Sequence, residues 1–146
     1  IITPILEQTN FRTDAPELEE GNLKVASFNV LNLFNGDGLG NDIASGRGAE
    51  TQQEYELQLL KITNAIIAID ADVVGLMEIE NDGYDELSSI AQLVDSINAN
   101  IGGEVYRFID AVDPQGTDAI SVGILYKTET VTPDAALKVL NSDNSV

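Results

Sequence analysis

Cysteine and histidine are both absent from this 146-residue chain, and basic residues are few. Without cysteine there is no disulfide and no thiolate metal site within the sequence. Without histidine the usual general acid or base is missing, and Ser-His and Cys-His nucleophilic machinery is excluded with it. Seven Lys and Arg stand against 25 Asp and Glu, a formal net charge of −18. The plainest reading of that charge is solubility. Such a surface also repels nucleic acid and anionic membranes on average, so a phosphate-bearing substrate would need a metal ion or a local basic patch. No apolar run approaches the ~20 residues of a membrane span, and no basic-then-apolar leader opens the chain. The first residue is Ile1 rather than Met, so the sequence reads as a processed product or an internal piece.

What is present is a globular chain, 43% hydrophobic, of a length that suits one domain with a real core. Residues 1–22 carry Pro4, Pro16 and the acidic cluster Glu17, Glu19 and Glu20 with poor periodicity, and read as a leading arm or linker. The domain proper is expected over residues 23–146. Its organising stretch is Leu23 to Asn35, which opens as a buried strand of small, β-branched and aromatic residues, about Lys24 to Leu31. Asn29 interrupts that run. A buried amide must find partners or cost about 1–3 kcal/mol, so it calls for a hydrogen-bond network or a ligand.

A Gly/Asp/Asn-rich loop follows from Asn35 to Gly48, long enough to be functional or mobile. Its oxygen-bearing side chains suit calcium, though no bidentate Glu stands at the expected spacing. Thr51 to Glu54 then has the form of a capping box. Behind it Tyr55, Leu59, Ile62, Ile66 and Ile69 make one apolar helical stripe. Asp70 to Asp72 ends the helix and turns the chain into a second strand, Val73 to Met77, closed by Glu78.

This strand–helix–strand unit predicts two parallel strands joined by a right-handed crossover. Both strands then end on the same side, where open α/β sheets place ligands. Asn29 and Glu78 both sit at that end. The run Glu78 to Gly83 matches the first half of an EF-hand loop, but the twelfth position is Ser89 instead of Glu, which speaks against that reading. A second helix carries Ile90, Leu93, Val94, Ile97 and Ile101 and ends at Gly102-Gly103. Val105 to Ile109 and Ile120 to Lys127 read as neighbouring antiparallel strands. Asp118 before the last of them either caps a turn or reaches the site, and Val131 to Leu140 reads as a short final element.

A carboxylate at the end of a buried strand is a good ligand for a hard cation. Magnesium binds through one or two carboxylates plus waters and substrate phosphates, and Glu78 fits that role with Asn29 beside it. Glu80 projects to the same face if the strand continues, and is otherwise solvated. Asn32 lies just past the first strand, where capping a turn is its simplest task.

Ser27-Phe-Asn-Val30 resembles the S-[WF]-N-[VI] strand of the endonuclease/exonuclease/phosphatase superfamily. Asp72-Val-Val-Gly-Leu-Met-Glu-Ile79 resembles its D-[IV]-[IV]-x-L-Q-E-[VI] strand. The nearest resemblance is to the bacterial extracellular nuclease subgroup, in LKVASFNVLNLFNG, the Arg47-Gly-Ala segment, ADVVGLMEIENDGY and QGTDAISVGILY, so that similarity runs from about Leu23 to Lys127.

The resemblance implies an α/β (α+β) fold, the first half of a four-layer αββα sandwich of the deoxyribonuclease kind, with a mixed β-sheet and flanking helices. It implies hydrolysis of a phosphodiester or phosphomonoester, and the favoured reading is a secreted, extracellular or periplasmic, Mg2+-dependent nuclease, with Mn2+ or Ca2+ as the other metals and nucleic acid as substrate. Glu78 and Asn29 are the implied catalytic and metal-holding residues; Asn32 and Asp118, from their own positions beside the strand ends, are the expected substrate contacts. Met77 stands where the superfamily usually has Gln, and Glu80 where some deoxyribonucleases have a basic residue. The His, the Asp-x-Asn pair and the closing Asp-His of complete members have no counterpart here. The chain alone is therefore expected to be inactive, and to need a missing C-terminal half or a second copy to complete the fold. A phosphatase or lipid phosphodiesterase of the same fold is the alternative enzyme. A non-catalytic binding module that kept the fold is the alternative outside enzymes.

Overall fold

The computed structural model describes residues 21–36, 47–112, 114 and 116–134. Within them run β1 (Val25–Leu33), α1 (Gln52–Ile69), β2 (Val73–Glu80), α2 (Ser89–Ile101), β3 (Tyr106–Phe108) and β4 (Ile120–Lys127). The strands form one mixed sheet in the order β1-β2-β4-β3. β1 and β2 are parallel, and the other two pairings are antiparallel. The expected α/β class, the parallel pair joined through a helix and the antiparallel pair near the end are all present. The leading arm through residue 20, most of the Gly/Asp/Asn-rich loop and the last expected element from residue 135 lie outside the described residues.

The helices form where their ends are chemically marked. Thr51 accepts the Glu54 amide at 3.2 Å, satisfying one of the N–H groups a helix start leaves over. The expected capping box closes one residue early, because the Glu54 carboxylate takes the amide of Glu50 at 2.9 Å. At the far end Asp70 adopts a left-handed backbone and donates its N–H to Ile66 O. The next turn fixes the strand pairing. Lys24 O accepts the amides of Asp72 and Val73, while the Asp72 carboxylate accepts the Lys24 amide at 2.7 Å. These bonds hold the starts of β1 and β2 side by side. α2 is capped by Ser88 and stopped by left-handed Gly102.

Both helices contribute to one core on one face of the sheet. Val30, Val74, Leu76 and Leu125 from the strands meet Ile62, Ile66, Ile90, Leu93 and Ile97 from the helices, all buried. Burying each such side chain is worth about 1.5–3 kcal/mol. Polar bonds fix the rest. Buried Asn98 on α2 brackets Tyr106, donating to its carbonyl and accepting its amide, each at 2.9 Å. The Tyr106 hydroxyl donates to Ala71 O at 2.7 Å.

The opposite face carries no covering layer among the described residues. Strand register lines up Val25, Val73, Tyr126 and Arg107 in one row, Ser27, Gly75 and Ile124 in the next, and Asn29, Met77 and Val122 in the third. Val25, Ile124 and Val122 are 65%, 42% and 69% exposed. β1 and β3 are the sheet's edges. Where β1 bends, the Gln58 amide of α1 donates to Val30 O at 3.0 Å and Leu31 O at 2.8 Å. No helix among the described residues is long and apolar enough to cross a membrane.

Candidate functional site

β1 and β2 both run further than their apolar stretches predict, and both do so through a kink at the same level. In β1, Leu31 and Asn32 turn to φ +58 and +50, and the register slips between Asn29 and Leu33. In β2, Glu78 turns to φ +63 and the register with β4 slips between Met77 and Ile79. Positive φ in a side-chain-bearing residue costs about 1–3 kcal/mol and clusters at functional positions. Each kink acts as a β-bulge, which re-aims the side chains around it.

The kinks bring the two expected site residues together. Asn29 Nδ2 donates to Glu78 Oε1 at 2.7 Å. The Leu31 amide, turned inward by its own left-handed backbone, donates to Asn29 Oδ1 at 2.8 Å. That bond fixes which end of the Asn29 amide faces the carboxylate. One oxygen of Glu78 is thus held in place, and the half-buried carboxylate sits at the rim of the open sheet face.

The remaining expected residues are placed differently. Asn32 lies in the β1 kink, half-buried, with its carbonyl against Gly48; a Cβ on Gly48 would stand 2.4 Å from that oxygen. Gly48 therefore admits no side chain, its φ of +71 being a second reason. Asp118 is exposed, in the loop entering β4. Its Oδ1 accepts the Ile120 amide at 3.3 Å and Arg47 Nη1 at 3.0 Å. The bond from Arg47 foremost, with that from Ile120, holds the Asp118 carboxyl below the usual carboxylate range. The Asp118 carbonyl accepts from Asn81 Nδ2 at 3.0 Å, which ties the loop to the end of β2.

Glu80 corrects the sequence expectation. Strict strand alternation gives it the face of Glu78 or solvent, but the extra turn at Glu78 breaks the alternation. Glu80 is 3% exposed, and its Oε2 accepts the Asn35 amide at 2.9 Å and Ser89 Oγ at 3.0 Å. Asp82 joins it by accepting the Ser89 amide at 2.7 Å, at the positive end of the α2 dipole. This network joins the end of β1, the end of β2 and the start of α2. It also acts on Tyr55, whose hydroxyl pKa is pushed up to about 12, first by burial and then by the charges of Asp82 and Glu80.

Sequence reasoning missed both the network and the Arg47–Asp118 pair. A glycine following Arg47 was the one visible signal of a close backbone approach there. Beside Asn29 a groove of about 430 Å3 opens between β1 and α1, walled mainly by Phe28, Val30, Leu31, Leu57 and Ile62. Asn29, Glu54, Gln58 and Lys61 complete its lining.

Among the described residues, no group of three or more His, Cys, Asp or Glu is placed to hold a metal ion. A magnesium-type site does not require one, since a single carboxylate with waters and substrate oxygens suffices. Glu78, with one oxygen held by Asn29, fits that donor set. Comparison with family models, with curated proteins and with solved structures finds no match.

Proposed function

We propose that the chain is part of a metal-dependent phosphodiester hydrolase, a secreted nuclease acting on DNA or RNA, with Glu78 and Asn29 at its metal site. The observation that carries this reading is the 2.7 Å bond between them at two aligned strand kinks. Packing alone gives no reason to hold a carboxylate on a left-handed backbone at an open rim. A metal grip gives one.

When bound there, a divalent ion would stabilise charge on the phosphoryl oxygens and the leaving alkoxide. The chain's own residues bind and orient. Glu78 supplies the anionic ligand, Asn29 fixes the direction of its carboxylate, and Asn32 and Asp118 stand on either side of it at the same end of the sheet. No histidine is present to move a proton, so the chain alone is expected to bind metal and phosphodiester without turnover.

The finer architecture belongs to the same proposal. The exposed Val25, Ile124 and Val122 face is what one sheet of a four-layer αββα sandwich presents before the second sheet, from a complementary half or a second copy, covers it.

Titration calorimetry with Mn2+ tests the site. The wild-type chain is expected to bind one ion, and Glu78→Gln to lose that binding while its circular dichroism is unchanged. Equal binding by both proteins would refute the assignment.

A further inference from the structure

We infer that Arg47, held in place by Asp118, is the phosphate-contacting side chain of the Glu78 site, taking a non-bridging oxygen of a phosphodiester chain. The inference rests on the Glu78 reading and adds to it the group that recognises the anion.

The placement follows from the sheet order. Gly48 is packed against Asn32 O at the end of β1. Asp118 lies at the start of β4 and is joined to the end of β2 through Asn81. β2 lies between β1 and β4, so the Arg47 side chain, running from the β1 side to Asp118, crosses the sheet end over the strand that carries Glu78. Two inter-strand spacings are about 9.5 Å, within reach of an arginine that starts beside Asn32.

Charge makes the position informative. Glu78, Glu80, Asp82 and Asp118 are all at this end. Of the other described basic residues, Lys24 donates to Ile69 O and Lys127 to Asp70 at the opposite end of the strands. Lys61, on α1, lines the apolar groove beside Asn29, and Arg107 lies in β3 beside Tyr126. Near the site end of an acidic molecule Arg47 and Lys61 are thus the described cations, and Arg47 is the one fixed by a bond to a loop at that end. Its side chain is 44% exposed, and Asp118 engages Nη1 alone. The rest of the planar fork is free to donate to a phosphate oxygen. A strut joining two loops needs no such reserve of exposed donors.

Fluorescence anisotropy with labelled oligothymidylate in MgCl2 tests the role. Arg47→Ala is expected to weaken binding about tenfold or more, the loss of a charge-assisted bond. It should also lower the slope of log K against log salt by about 0.7, one phosphate contact to a single strand, with Mn2+ affinity unchanged. Arg47→Lys should keep the salt slope and lose part of the affinity. Asp118→Asn, which keeps the cation but loosens its anchor, should weaken binding less than Arg47→Ala and keep the salt slope. Wild-type affinity and salt slope in Arg47→Ala, with Mg2+-dependent binding lost in Glu78→Gln, would overturn the role of Arg47 and leave the metal site standing. Absence of Mg2+-dependent binding by the wild-type chain would overturn both.

Discussion

At Glu78 the chain accepts a φ of +63 where glycine or asparagine would sit with less strain. Glu78→Gly relieves the left-handed penalty but frees the unfolded chain, two effects of comparable size. The variant is expected to unfold in urea within about 1 kcal/mol of wild type while losing Mn2+ binding altogether. A loss of several kcal/mol would mean that the side chain is structural. Asn29 and Glu78 were legible because each is a polar residue at the end of an apolar strand, and pairing those strands leaves them adjacent. Glu80 was not, because its burial depends on one backbone rotation two residues earlier. Nothing in a period-two pattern announces such a rotation. The pairing of Arg47 with Asp118 was hidden for another reason: the two are 71 positions apart.

The elements join at a few side-chain clasps. Asp72 accepts the Lys24 amide and the Thr130 hydroxyl, each at 2.7 Å, and so holds β1, β2 and the segment after β4 together. The Lys24 bond first and the Thr130 bond second keep its carboxyl below the ordinary value of 3.8. A depressed folded pKa adds stability that is present above the unfolded value and lost as pH falls through the folded one. Asp72→Asn should therefore be less stable than wild type at neutral pH, and the gap should close as unfolding is measured well below pH 3.8. A gap that does not depend on pH would assign the effect to packing.

Gly48→Ala concerns the other end. With a Cβ 2.4 Å from Asn32 O, the variant must move the Arg47 segment away from β1. It is expected to lose about 1–3 kcal/mol, read as a lower urea midpoint. Helix positions were readable from their apolar stripes and caps. Strand ends were not, since the bulges that extend β1 and β2 put polar residues where the strand pattern stops.

The molecule as a whole buries one face of its sheet and leaves the other open. Val122→Thr on the open side is expected to change stability by less than about 0.5 kcal/mol, whereas Leu125→Ala in the core should cost about 2–5 kcal/mol. Comparable losses at both positions would show that the open face is covered in solution. Alkali gives a second global test. Tyr55 and Tyr106 are each pushed from 10.0 up to about 12, chiefly by burial. A raised folded value means that the unfolded chain releases these protons first. Stability is therefore complete below pH 10 and falls as pH rises toward 12. Of the four tyrosines, two should therefore add their tyrosinate absorbance only together with the loss of helical circular dichroism; all four ionising well ahead of unfolding would contradict the burial of both rings. The amide of Gln58 has a consequence at this scale too. As an edge strand β1 offers stray strands a template, and by occupying the carbonyls of Val30 and Leu31 one glutamine withdraws two of the acceptors a fibril would use.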